Sequence, residues 1–123
     1  MTSLAYELSQ FTGTENYYRL TPFPKTYMTD GTKYLADKAK CYWLMELIAS
    51  EQRRLNKYEF QTWTLKVENH KGRLTGTDGN GRVILSQVIE YTDFPMSEIE
   101  LYLCLTEDCY NDTARVIMLP SEY

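Results

Sequence analysis

Between Thr29 and Leu119 the spacing of apolar residues changes once, from every third or fourth residue to every second, and this change constrains the fold class more than any other feature. Leu35, Ala39, Tyr42, Met45 and Ala49 recur at helical spacing, and Cys41, Leu44 and Ile48 widen the stripe. No proline falls between Pro24 and Pro95. Thr29-Asp30-Gly31-Thr32 offers side-chain oxygens to the free N–H groups of a helix start, so the spacing predicts one long helix beginning there. It should emerge into water at Glu51-Gln52-Arg53-Arg54, where two arginines suit the negative end of the helix dipole.

From Glu59 onward the period is two. Trp63, Leu65 and Val67 alternate with Thr62, Thr64 and Lys66, which predicts a half-buried strand. Asn69-His70-Lys71-Gly72 reads as a turn into a strand over Arg73 to Thr77, and Asp78-Gly79-Asn80-Gly81 supplies the positive-φ positions of a second turn before Val83 to Glu90. After Thr92-Asp93-Phe94-Pro95, the alternation of Ile99, Leu101, Leu103 and Leu105 with polar neighbours is the cleanest strand signal, and Arg115 to Leu119 forms a last strand. Ahead of the long helix, Ser3 caps a short amphipathic helix that ends at Gly13. Tyr17 to Thr21 and Lys25 to Met28 read as a loose edge hairpin around two prolines. The expected fold is a single two-layer α+β domain: one long core helix packed on an antiparallel sheet of about four to five strands, with a short N-terminal helix.

An apolar content of 43% with 24% charged residues excludes a disordered chain and a membrane span. The first residues lack the basic flank and apolar run of a secretory signal, so a cytoplasmic setting is expected. Cys41, Cys104 and Cys109 are too few for a disulfide framework and read as reduced thiols, and a single histidine, His70, cannot complete a zinc site with them. No cofactor or metal is expected. The Asp78 to Gly81 run lacks the further oxygen ligands of a calcium loop, and the glycines around it lack the Lys-Ser/Thr ending of a phosphate loop. His70 sits in a polar turn without a neighbouring nucleophile.

Several segments carry a family resemblance: Thr29-Asp30-Gly31 with Tyr34-Leu35, Tyr42-Trp43-Leu44, Ile48-Ala49-Ser50, Ile89 through Pro95, and Leu119 through Tyr123. From about residue 10 onward the chain resembles a family of small bacterial proteins, also met in phages and other mobile elements, known only as a domain of unknown function. The resemblance implies a mobile-element setting and no activity, so no catalytic residue follows from it.

Charge is uneven. Residues 1–82 hold 12 Lys and Arg against 9 Asp and Glu, whereas beyond them Arg115 alone faces eight acids. Glu98, Glu100, Glu107, Asp108 and Asp112 are therefore the candidate partner-binding residues of a non-catalytic binding protein that engages a basic surface on another protein. In the setting that the resemblance implies, the partner would be a host nucleic-acid-binding or defence protein. Lys38, Lys40, Arg53, Arg54 and Lys57 could meet phosphates, but the net charge of −4 disfavours direct nucleic-acid binding. Self-association stays open. The alternative expectation is a small-ligand binder or enzyme with an aromatic pocket between helix and sheet, lined by Tyr34, Tyr42, Trp63 and Tyr102.

Without a metal or disulfide in the fold, the melting temperature should be the same with and without chelator or mild reductant. A clear fall in Tm with either reagent would overturn that expectation.

Overall fold

The computed structural model describes residues 3–107 and 113–123. Helix α1 (Leu4–Ser9) is capped by Ser3, whose hydroxyl accepts from the Tyr6 N–H. A two-residue strand β1 (Tyr18–Arg19) pairs antiparallel with β2 (Thr26–Met28). Helices α2 (Asp30–Lys38) and α3 (Tyr42–Leu55) follow, then β3 (Phe60–Glu68), β4 (Lys71–Thr77), β5 (Val83–Ile89), β6 (Glu98–Glu107) and β7 (Thr113–Met118), with a 3-10 turn over Pro120–Glu122. Among the described residues no helix is long and apolar enough to cross a membrane.

The single long helix expected from the spacing is two helices. Lys40 adopts a left-handed backbone with φ of 51°, and the Cys41 N–H returns to the Ala36 carbonyl at 3.0 Å, the long bond of a Schellman ending. The apolar stripe runs through the break because Ala36 and Cys41 are both fully buried there.

The sheet also departs from the expected four to five antiparallel strands. Among the described residues it has seven, in the order β1-β2-β7-β6-β3-β4-β5, and it is mixed, because β2 runs parallel to β7 with Thr26 opposite Arg115 and Met28 opposite Ile117. The edge hairpin and the predicted strands therefore belong to one sheet. Asn69 and His70, at φ of 53° and 63°, form the two-residue turn between β3 and β4, so Lys71 and Gly72 lie in the strand rather than in the turn. Gly76 lies against the Trp63 ring: a Cβ there would come within 2.8 Å of the indole.

All three helices pack on one face of the sheet. Leu8, Leu35, Leu44, Met45 and Ile48 meet Trp63, Leu65, Leu101, Leu103 and Ile117 in one buried cluster, with Tyr42 at its margin. A reciprocal amide pair locks α3 to β3. Gln52 Nε2 donates to Gln61 Oε1 and Gln61 Nε2 to Gln52 Oε1, each at 2.9 Å. Gln61 Oε1 also accepts from the Trp63 indole at 3.0 Å, so these buried amides are satisfied within the core.

The N-terminus of α2 joins both ends of the chain. Of its first four N–H groups, Thr29 donates to the Thr32 hydroxyl (2.9 Å) and Asp30 to the Thr14 hydroxyl (2.8 Å). Gly31 donates to the Glu122 carboxylate (3.0 Å) and Thr32 to the Thr29 hydroxyl (3.3 Å). Glu122 Oε1 also accepts from the Thr29 hydroxyl at 2.6 Å and the Leu119 N–H at 3.0 Å. The Asp30 carboxylate accepts from the Glu15 N–H (2.9 Å) and the Tyr18 hydroxyl (3.0 Å). The Glu15 bond comes first among the causes that hold its pKa below the usual value.

A Cβ on Gly31 would lie 2.6 Å from Glu122 Oε1 and from Leu119 Cδ1. Alanine ordinarily gains about 1 kcal/mol over glycine inside a helix. Here Gly31→Ala should instead destabilise by about 1–3 kcal/mol through loss of a charge-assisted bond. Glu122→Ala should cost a similar amount, and the double variant less than the sum of the two in chemical denaturation. Strict additivity would refute the shared contact.

Candidate partner-binding face of the sheet

Because side chains alternate along each strand, the face opposite the helices is built from the outward residues of β3 to β6. Lys66 stands opposite Glu98, Thr64 opposite Glu100 and Thr62 opposite Tyr102 across β3 and β6. Arg73 and Thr75 continue the face on β4, and Ser86 and Val88 on β5. No described helix covers this face.

Its charged end is mixed in sign. Lys66 Nζ lies 3.6 Å from Glu98 Oε1 with both side chains more than half exposed, a pair worth at most about 1 kcal/mol. Arg73 donates to the Ser86 hydroxyl at 3.0 Å. Glu100 is exposed and has no ion pair among the described residues. Thr64, Lys66, Arg73, Thr75, Glu98 and Glu100 border a shallow depression of about 450 Å³. Glu98 and Glu100 thus share one face, as the alternation implied. Glu107 closes the same strand nine residues further on, about 30 Å away at the usual rise per residue. Asp108 and Asp112 lie outside the described residues.

The other end of the face is aromatic. Phe60, Tyr102 and Tyr123 meet with centroid separations of 4.9, 5.3 and 5.6 Å. The Phe60 ring rests on the backbone of the β4–β5 turn, where a Gly79 Cβ would come within 2.6 Å of it. Tyr123 is 77% exposed. Phe60 belongs to this cluster by parity with Thr62, a signal the sequence carried but one outweighed by the Trp63 alternation.

The four aromatics expected to line a pocket occupy separate surroundings. Trp63 is buried beneath the helices, whereas Tyr102 lies on the opposite face of the sheet. The Tyr34 hydroxyl donates to the Glu7 carboxylate, which comes first among the causes raising its pKa, and its ring packs on Phe11 at 5.3 Å. The Tyr42 hydroxyl donates to Asp37 at 2.5 Å. Asp37, paired with Lys33 at 2.7 Å, is held below the usual carboxylate range chiefly by that lysine. These tyrosines tie α2 to α1 and α3, and of the four only Tyr42 borders a depression, of about 580 Å³, shared with Tyr18, Met28 and Lys33.

Compared with known protein families, the sequence matches a family of unknown function, DUF6876, over residues 2–123. The chain belongs to the DUF6876 family. Searches of curated proteins and of solved structures give no match.

Other candidate chemistry in this DUF6876 protein is occupied by structure. The Asp78 carboxylate accepts from the Asn80 and Arg82 N–H groups at 2.9 and 3.2 Å, closing a turn. His70 stacks on Tyr91 with Nδ1 3.2 Å from the Thr92 carbonyl. Burial pushes the Cys41 thiol up to about 12 and raises that of Cys104, so neither supplies a thiolate nucleophile near neutral pH. Alkylation at about pH 8 followed by peptide mapping should leave Cys41 intact in the native protein and modify it in denaturant. Equal labelling in both states would contradict the buried placement.

Proposed function

We propose that this DUF6876 protein is a non-catalytic, cytoplasmic binding protein that presents the open face of its sheet to a partner protein with a basic surface. The observation that carries this reading is the pairing, on one uncovered face, of two exposed outward carboxylates, Glu98 and Glu100, with an aromatic trio that includes a largely exposed tyrosine. Protein interfaces combine aromatic anchors with a polar rim, and tyrosine offers contact area at low entropic cost. Among the described residues Glu100 has no counter-ion, and Lys66 offsets Glu98 only from an exposed position, so a partner's arginine or lysine could displace it at little cost. The acids at residues 107, 108 and 112 extend the same charge along the sequence. In the bacterial or mobile-element setting implied by the resemblance, the partner would be a nucleic-acid-binding or defence protein whose basic surface is blocked on contact.

The test begins with copurification from the native host and then measures association kinetics with the captured protein. Glu98→Lys combined with Glu100→Lys should slow association by roughly tenfold at low salt, with little change in stability. The difference should shrink as the screening length falls from about 10 Å at 0.1 M to about 3 Å at 1 M. Tyr123→Ala should mainly raise the off-rate. An unchanged on-rate in the charge-reversed protein, or recovery of a small molecule alone, would reject the reading.

A further inference from the structure

On the helix-bearing side of the sheet, the segment between β1 and β2 packs beside the second half of α3 and the start of β7. It leaves a groove of about 570 Å³ whose walls include Phe23, Pro24 and Ala49. Six polar side chains also line it, and half of them are committed elsewhere. The Thr26 hydroxyl donates to the Pro24 carbonyl at 3.0 Å and the Ser50 hydroxyl to the Leu47 carbonyl at 2.7 Å. The Gln52 amide is held by Ile48 and Gln61. Three side chains remain without a hydrogen-bond or ion-pair partner among the described residues: Arg53, Asn56 and Arg115. Arg115 Nε is shut off from solvent and unpaired. A guanidinium N–H can only donate, so this one is left without an acceptor. Among the described residues no acidic side chain lines the groove.

The geometry points to a binding site for a small organic monocarboxylate with an apolar body. The free polar side chains are two guanidinium forks and one amide, which together favour a hydrogen-bond acceptor, and a fork matches the two oxygens of a carboxylate. The apolar walls suit the rest of such a molecule, and the volume lies within the usual range for small-ligand sites. A phosphate dianion fits less well. The groove runs along the last turns of α3, where the helix dipole is negative and offers no free N–H groups. The site lies on the face opposite Glu98 and Glu100, so its fate is separate from that of the proposed partner face.

Benzoate, the isosteric neutral benzamide and inorganic phosphate are the probes, each titrated into isotope-labelled protein and followed by amide and Arg Nε–H NMR shifts. Benzoate should give saturable shifts at Thr26, Ala49, Arg53 and the Arg115 side chain with a Kd of about 1 mM or tighter. Benzamide should bind at least roughly tenfold more weakly, as should benzoate to Arg115→Met. Arg53→Ala, at an exposed position in the last turn of α3, should weaken benzoate binding even if the Arg115 variant fails to fold. Absence of saturation with benzoate would overturn the assignment. So would equal affinity for benzamide, tighter binding of phosphate, or unchanged binding in both variants.

Discussion

Four backbone N–H groups at the start of α2 have no backbone carbonyl of their own helix to donate to, and two of them, on Asp30 and Gly31, are satisfied by side chains from the two ends of the chain. Thr14 reaches Asp30 from the N-terminal side, and Glu122 reaches Gly31 from the C-terminal side. The Thr32 hydroxyl passes on to the Ile117 carbonyl at 2.8 Å, which anchors the helix start to β7. A carboxylate at a helix N-terminus is also favoured by the macrodipole, so Glu122 acts through charge as well as geometry. Gly31 is the condition for this approach, since a side chain there would meet Glu122 and Leu119. Two of the segments that carried the family resemblance, around Gly31 and around Glu122, thus meet in one contact.

The parallel pairing of β2 with β7 complements that junction. Met28 lies beside Ile117, and Thr29, the next residue, caps α2, so the strand delivers the helix start to the place where the C-terminal turn can reach it. Further along, the Gln52–Gln61 pair fixes α3 over β3. Buried amides left without partners would be costly, and here each finds several. Polar contacts therefore set where the helices sit, while apolar burial holds them there.

Local periodicity reveals what each segment is, but it cannot see which distant segment lies beside it. The alternation in β3 and β6 correctly assigned Leu101 and Leu103 to the core, and Glu98 and Glu100 to the other face. The same alternation sets Tyr102, between Leu101 and Leu103, on the face opposite Trp63, whereas the pairing of Trp63 with Leu101 is visible only in the fold. The helix break escaped notice because a lysine takes the left-handed position that glycine usually fills, and because small buried residues on either side preserve the stripe. The parallel β2–β7 contact joins segments from opposite ends of the chain, and no local pattern encodes it. Arg115 was visible only as the one cation of an acidic third. Its place on the helix-bearing face follows from the same alternation that buries Ile117, once the pairing of β6 with β7 is known.

Arg115 stands opposite Leu105 on β6 and Thr26 on β2, so its side chain leaves the sheet on the side that elsewhere is sealed by the helices. Two residues later Ile117 is completely buried on that side, whereas Arg115 is only half-buried with its Nε sealed off. The apolar cover thus thins at the start of β7, between the prolines that precede β2 and the end of α3. A leucine there could extend the core. An arginine instead brings a guanidinium to a mostly apolar wall with its Nε unpaired, which is the basis of the anion site proposed above. The proposed partner face is in a different physical situation, since its charges stand in water. The two proposed sites on this one sheet therefore differ in physics: exposed acids would act on a partner by long-range field, and a sheltered cation would act on a small anion by contact.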